Sequence, residues 1–182
     1  MGRMSLTACV AYFLGIMSCI QPVQAGSAAE IEARVRATMD SFFSRVTGAK
    51  ELVRKSSGVL VFPSVVKAGV GVGGEYGEGA LVGRDQTIKY YNTISASFGF
   101  QLGAQVRSVV IVFMTDDALE SFHRANGWKV GVDGSVAIVT VGAGGAIDSS
   151  RITQPIVGFI FDGKGLMYNL TLEGSKISRV SR

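Results

Sequence analysis

The sequence predicts an α+β fold in which N-terminal amphipathic helices pack on a glycine-rich, mostly antiparallel β barrel or sandwich. Three observations carry this. Apolar residues after residue 30 recur at helical spacing. From residue 57 onward the apolar period changes to two. The 182 residues include 24 glycines against only 3 prolines, which suits closely approaching strands joined by tight turns.

The chain opens with a predicted export signal over residues 1–25. Arg3 gives a basic start, an apolar run extends from Leu6 to Ile20, and Val23-Gln24-Ala25 is the small-residue exit that a signal peptidase accepts. The run is shorter than the roughly 20 residues a spanning helix needs, so cleavage after Ala25 is expected and no transmembrane span in the mature chain. The alternative is a lipoprotein signal ending before Cys19, because Ile16-Met17-Ser18-Cys19 is similar to a lipobox. Both cysteines, Cys9 and Cys19, lie in this leader, so the mature chain must rely on its core rather than on disulfides. The expected location is the periplasm or the outer-membrane-associated cell envelope.

Residues 26–56 form the predicted helical segment, and 57–182 a β-rich domain making one globular unit with it. Ile31, Val35, Met39, Phe42 and Val46 share one helix face, with Glu30 and Glu32 in the first turn and Arg45 in the last, complementing the macrodipole. Gly48 is the natural stop, and a short second helix is expected from Ala49 to Lys55. Strands follow over 59–62, 66–74, 88–94, 98–104 and 109–113. Gly83-Arg84-Asp85, Asp133-Gly134 and Asp162-Gly163-Lys164-Gly165 read as turns. Thr115 caps a third helix from Asp116 to Arg124, which Asn126-Gly127 ends. In Gly69-Val70-Gly71-Val72-Gly73 the glycines leave one strand face bare. That face is expected to meet the similar run Val141-Gly142-Ala143-Gly144-Gly145-Ala146 or to receive the N-terminal helix.

Five blocks in order resemble the SYLF domain family: Gly58 to Ser64, Lys67 to Gly79, Ser97 to Gln105, Gly131 to Ala137, and Lys164-Gly165-Leu166 with Leu172-Glu173-Gly174. The resemblance implies a lipid-binding domain. Eukaryotic members bind phosphoinositides where membranes meet the actin cytoskeleton, and bacterial members are exported envelope proteins. This chain departs from eukaryotic members by carrying Glu75 and Glu78 where they often have basic residues, which would repel a phosphate. The expected ligand is therefore bulk phospholipid or another amphiphile.

The predicted lipid-contacting residues are Arg34, Arg36, Phe42, Phe43, Arg45, Lys50, Arg54 and Lys55 of the helical segment, with Lys67 and Arg84 beside turns. A basic residue near an anionic surface contributes about 1 kcal/mol, while the competing expectation is that the apolar stripe packs on its own sheet. The partner is a phospholipid or anionic membrane surface. A formal net charge of +4 is too small to point to nucleic acid. The second functional class is an envelope scaffolding module whose exposed strands and Trp128 contact a protein partner, although core packing at a strand start is the favoured expectation for Trp128.

An enzyme is not expected. His123 is the only histidine, so a multi-histidine metal site is excluded. No G-x-S-x-G elbow accompanies Asp116 and Asp117 before it. Scattered Glu75, Glu78, Asp85, Asp133, Asp148 and Asp162 lack calcium-loop spacing. Gly69, Gly71 and Gly74 match a dinucleotide fingerprint only formally, because strand-like sequence continues to Val82 where a helix is required. No cofactor and no metal are expected.

Overall fold

Helix α1 spans Ala28–Arg45, starting three residues before the apolar stripe begins at Ile31, because the Ser27 hydroxyl accepts from the Glu30 amide and caps it there. Gly48, at φ 88°, turns the chain directly into α2, Ala49–Lys55. Helix α3, Asp116–Arg124, is capped by Thr115, whose hydroxyl accepts from the Ala118 amide. The computed structural model describes residues 26–125, 127–141, 153–165, 172 and 174–182. The predicted leader, its cleavage after Ala25, Cys19 and the glycine run from Gly142 lie outside the described residues.

Strands β1, Gly58–Gly83, and β2, Ile88–Phe113, are each 26 residues long and form one continuous antiparallel hairpin, closed at residues 84–87. The separate short strands expected here are thus segments of two long ones. One apparent break is a bulge, where the register shifts between Phe62 and Val65 at Pro63, whereas Ser95, Ala96 and Ser97 pair regularly with Glu75, Gly74 and Gly73. A second shift, between Val70 and Val72, falls inside the expected strand 66–74. A bulge is a place where a strand tolerates proline and bends sharply. Strand β5, Ile156–Gly165, pairs with residues 105–113 of β2, and β6, Lys176–Val180, pairs with residues 90–94. Short β3, Trp128–Lys129, flanks β6, while β4, Ala137–Thr140, lies parallel to β5. The mostly antiparallel sheet curls into a half-barrel, which corrects the expected closed barrel or sandwich. Among the described residues β1 pairs only with β2.

The predicted turn at 162–165 is also corrected. Asp162, at φ 57°, starts a bulge inside β5, where Asp162 and Gly163 oppose the single residue Arg107. Turn-forming residues serve equally well wherever one residue must be left-handed.

The curl folds β1 over itself. Gly77 and Gly79 of its second half face Val65 and the Val61 carbonyl of its first half, with no room for a side chain. Gly69 faces Val72 and Gly73 of its own strand, not the N-terminal helix. The concave side holds Leu60, Phe62, Val109, Ile111, Phe113, Phe122 and Trp128 in one core cluster. On the opposite side Ile31, Val35, Phe42, Ala49 and Leu52 share a second cluster with Val59, Val61, Val110, Val112 and Phe159. Its centre is Phe42, with ring centroids 5.0 Å from Phe159 and 5.7 Å from Phe161.

Candidate functional site

A cleft of about 530 Å³ opens between α1, α2 and β1. Val35 and Met39, one helix turn apart on α1, form one wall, Val53 of α2 closes an end, and Val59, Val61 and Val82 form the floor. Floor residues from both ends of β1 meet only because the hairpin folds back. Gly58 and Gly83 also line the cleft. A smaller hollow of about 270 Å³ holds Arg84, Lys89 and His123 on the far side of Gly83.

Three cations stand at the cleft: Arg36 of α1, Arg54 of α2 and Arg84 from the hairpin turn, against one carboxylate, Asp40. Arg84 is held in place by bonds from Nε and Nη2 to the Ser56 carbonyl at 3.3 Å. Arg54 donates to Glu51 at 2.9 and 2.7 Å. Hydrogen bonds from Arg54, then Lys55, hold the Glu51 carboxyl down to about 2. Arg36 lies 3.7 Å from Glu32. Exposed pairs of this kind contribute about 0–1 kcal/mol, so an anionic headgroup can take either arginine from its glutamate. An apolar trough ending in guanidinium groups suits an amphiphile: the trough takes the chain and the arginines bind phosphate or carboxylate in bidentate fashion.

Of the ten predicted residues, the structure brings Arg36, Arg54 and Arg84 together. Arg34 pairs with Glu30, Arg45 with Asp162 at 2.7 Å, and Lys55 with Glu51 at 3.3 Å. Lys50 lies with its Nζ 6.0 Å from the half-buried Phe43 ring. Phe42 is corrected from a membrane-facing role: it is wholly buried, because its position on the stripe points at the sheet. Lys67 is corrected from a lipid contact beside a turn to the interior, at 6% exposure, because the strand continues past it. Sequence reasoning missed Met39, Val53 and Val82 as cleft residues. Met39 was in view as part of the stripe, but its juxtaposition with Val82 depends on the non-local fold of β1.

A second feature is polar and closed. Arg107 Nη2 lies 2.7 Å from Glu75 Oε2, and both are buried with Lys67 and Gln105. Burial raises the Glu75 pKa, against the pull of Arg107 and Lys67. The acid expected to repel a phosphate is thus neutralised within the protein. Glu78 accepts from the Gly26 amide and the Tyr76 hydroxyl, both at 2.9 Å, and pairs with Arg182.

Trp128 is 2% exposed and meets Phe122 edge-on at 5.6 Å, which places it in the core, as favoured over a partner contact. His123 is exposed, and burial, then Lys89 and Arg179, lower its pKa. The formal dinucleotide motif lies wholly inside β1, where no helix follows to receive a pyrophosphate.

Residues 94–181 match the family model described as Ysc84, Las17-binding protein actin regulator. Comparison with curated proteins found no match. The matched segment contains most of β2 and everything after it, whereas the cleft is built from residues 35–84.

Proposed function

We propose that this chain, a SYLF-domain protein over residues 94–181, is a non-enzymatic lipid-binding protein of the bacterial cell envelope, reached through the leader at residues 1–25. Its ligand is an anionic phospholipid or a similar amphiphile. The observation that carries this reading is the apolar cleft ending in Arg36, Arg54 and Arg84. Its volume falls in the range of about 300–1,000 Å³ typical of small-molecule sites. The acyl chain occupies the trough between Met39 and Val82, and the headgroup meets the arginines. Steering by the other basic residues of α1 and α2 brings the protein to the anionic leaflet.

Titration with a fluorescent single-chain anionic amphiphile tests this. Met39→Trp fills the trough and is expected to weaken uptake about tenfold or more, and joint reversal of Arg36, Arg54 and Arg84 to glutamate to abolish the preference for anionic over zwitterionic probes. Unchanged uptake by both variants contradicts the assignment.

The competing reading is an envelope scaffolding module without specific lipid binding, for which the family's described Las17 binding is the nearest precedent. The buried Trp128 removes the aromatic anchor first expected for it.

A further inference from the structure

The outer face of the folded hairpin is covered by α1 and α2 only near its base, around Val59, Val61, Val110 and Val112. The same face runs on uncovered to the bend. Val66, Val70, Val72 and Tyr76 of β1 and Ile94 and Val106 of β2 are 44%, 76%, 60%, 39%, 51% and 40% exposed. They are neighbours by register: Val66 pairs with Val106 and Tyr76 with Ile94, while Val70 and Val72 sit at the apex. Ala68, Ala96 and Ala104, between them, are exposed too. The bend itself explains why: where β1 turns back on Gly69 and Gly73, the side chains of the intervening valines can only point outward. A contiguous apolar face of this kind marks an interaction site.

Charge identifies the occupant. The next strand places Lys164 beside Val106 on one flank, and Lys176 beside Ile94 on the other. Register partners point to the same side of a sheet, and both lysines are exposed. Glu78, the carboxylate nearest this face on β1, is taken up by Arg182, Tyr76 and the Gly26 amide. Valines and alanines flanked by lysines fit a lipid surface: the valines enter the acyl boundary while the lysines extend to the headgroups. A protein partner would favour aromatic and arginine anchors, and lysine is depleted from such contacts. A two-fold contact between copies of this face would bring four lysines together.

We propose that this bend of the β1–β2 hairpin inserts into an anionic bilayer, as a membrane contact separate from the cleft. It extends the lipid-binding reading without depending on the cleft being filled.

The test uses the purified full chain and vesicles of phosphatidylglycerol and phosphatidylethanolamine. Val70→Asp/Val72→Asp is expected to reduce vesicle flotation about tenfold or more while leaving uptake of the fluorescent amphiphile unchanged, and Met39→Trp to do the reverse. Lys164→Glu/Lys176→Glu reduces flotation about fivefold per lysine, on anionic vesicles only. In Val72→Trp, added vesicles shift the new emission to the blue, and brominated acyl chains quench it. Equal flotation of the aspartate variant and wild type overturns the proposal. So does Val72→Trp emission that is blue-shifted before vesicles are added, since a second copy or residues 1–25 would then cover the bend.

Discussion

Arg107 reaches across the folded hairpin to Glu75, with Nη2 2.7 Å from the carboxylate and both side chains no more than 2% exposed. Arg107 lies on the half of β2 that pairs with Val65, and Glu75 on the far half of β1, opposite Ser95. The pair therefore bridges the two arms of the curl at the end where the apolar core gives way to polar residues. Removing one partner of a buried pair leaves the other charge uncompensated, at a cost of about 3–5 kcal/mol. Arg107→Met is expected to lower stability by that amount in urea unfolding, and Glu75→Leu added to it to restore much of the loss. Equal stability of Arg107→Met and wild type would show that the bridge contributes nothing.

Burial lifts the Glu75 pKa above its ordinary 4.5, against Arg107 and Lys67. The native state then holds this proton more tightly than the unfolded chain does. The contribution of Glu75 to stability thus falls as pH rises from about the ordinary value through the raised one. His123, lowered below its ordinary 6.5 chiefly by burial, gives the opposite slope. The Glu75 share is accordingly read as the difference between wild type and Glu75→Gln across a pH series. That difference is expected to move against wild type as pH increases, and a difference that does not change with pH contradicts the assignment.

Gly79 faces the Val61 carbonyl, and a Cβ there would also lie 2.8 Å from the Phe62 ring. Gly79→Ala is expected to destabilise by about 1–3 kcal/mol, since backbone must move. Gly74 is the control, because its nearest atom is the Ser95 carbonyl at 4.0 Å. Gly74→Ala should leave the thermal midpoint nearly unchanged.

Phe42 and Phe43 are adjacent and separable. Phe42, fully buried against Phe159 and Phe161, should cost about 3–5 kcal/mol when cut to alanine. Phe43→Ala should cost much less. Comparable losses in calorimetry would mean that both rings belong to the core.

The three helices were legible in sequence to within two residues, because Gly48 and Thr115 act locally: each sets φ or satisfies an end amide without help from distant residues. The start of α1 differs because the apolar stripe does not reveal the Ser27 cap. The strands were legible as a period but not as objects. Pro63 and the Ser95-Ala96-Ser97 stretch look like breaks, yet cross-strand pairing continues past them, and pairing is non-local. Asp162 was read as a turn for the same reason. Of the five blocks that resemble the family, three lie within the matched residues 94–181. Arg36, Arg54 and Arg84 are candidates individually, but their placement at one cleft with Val82 rests on a fold of β1 that no local pattern announces. Lys67 and Phe42 were misplaced because charge and helix face alone do not reveal what covers them.

The most direct measurement is flotation of the purified protein with vesicles of graded phosphatidylglycerol content across a salt series. Binding should rise with anionic content and weaken as salt shortens the Debye length from about 10 Å at 0.1 M. Failure to float with any vesicle composition, or flotation indifferent to both anionic lipid and salt, would contradict it.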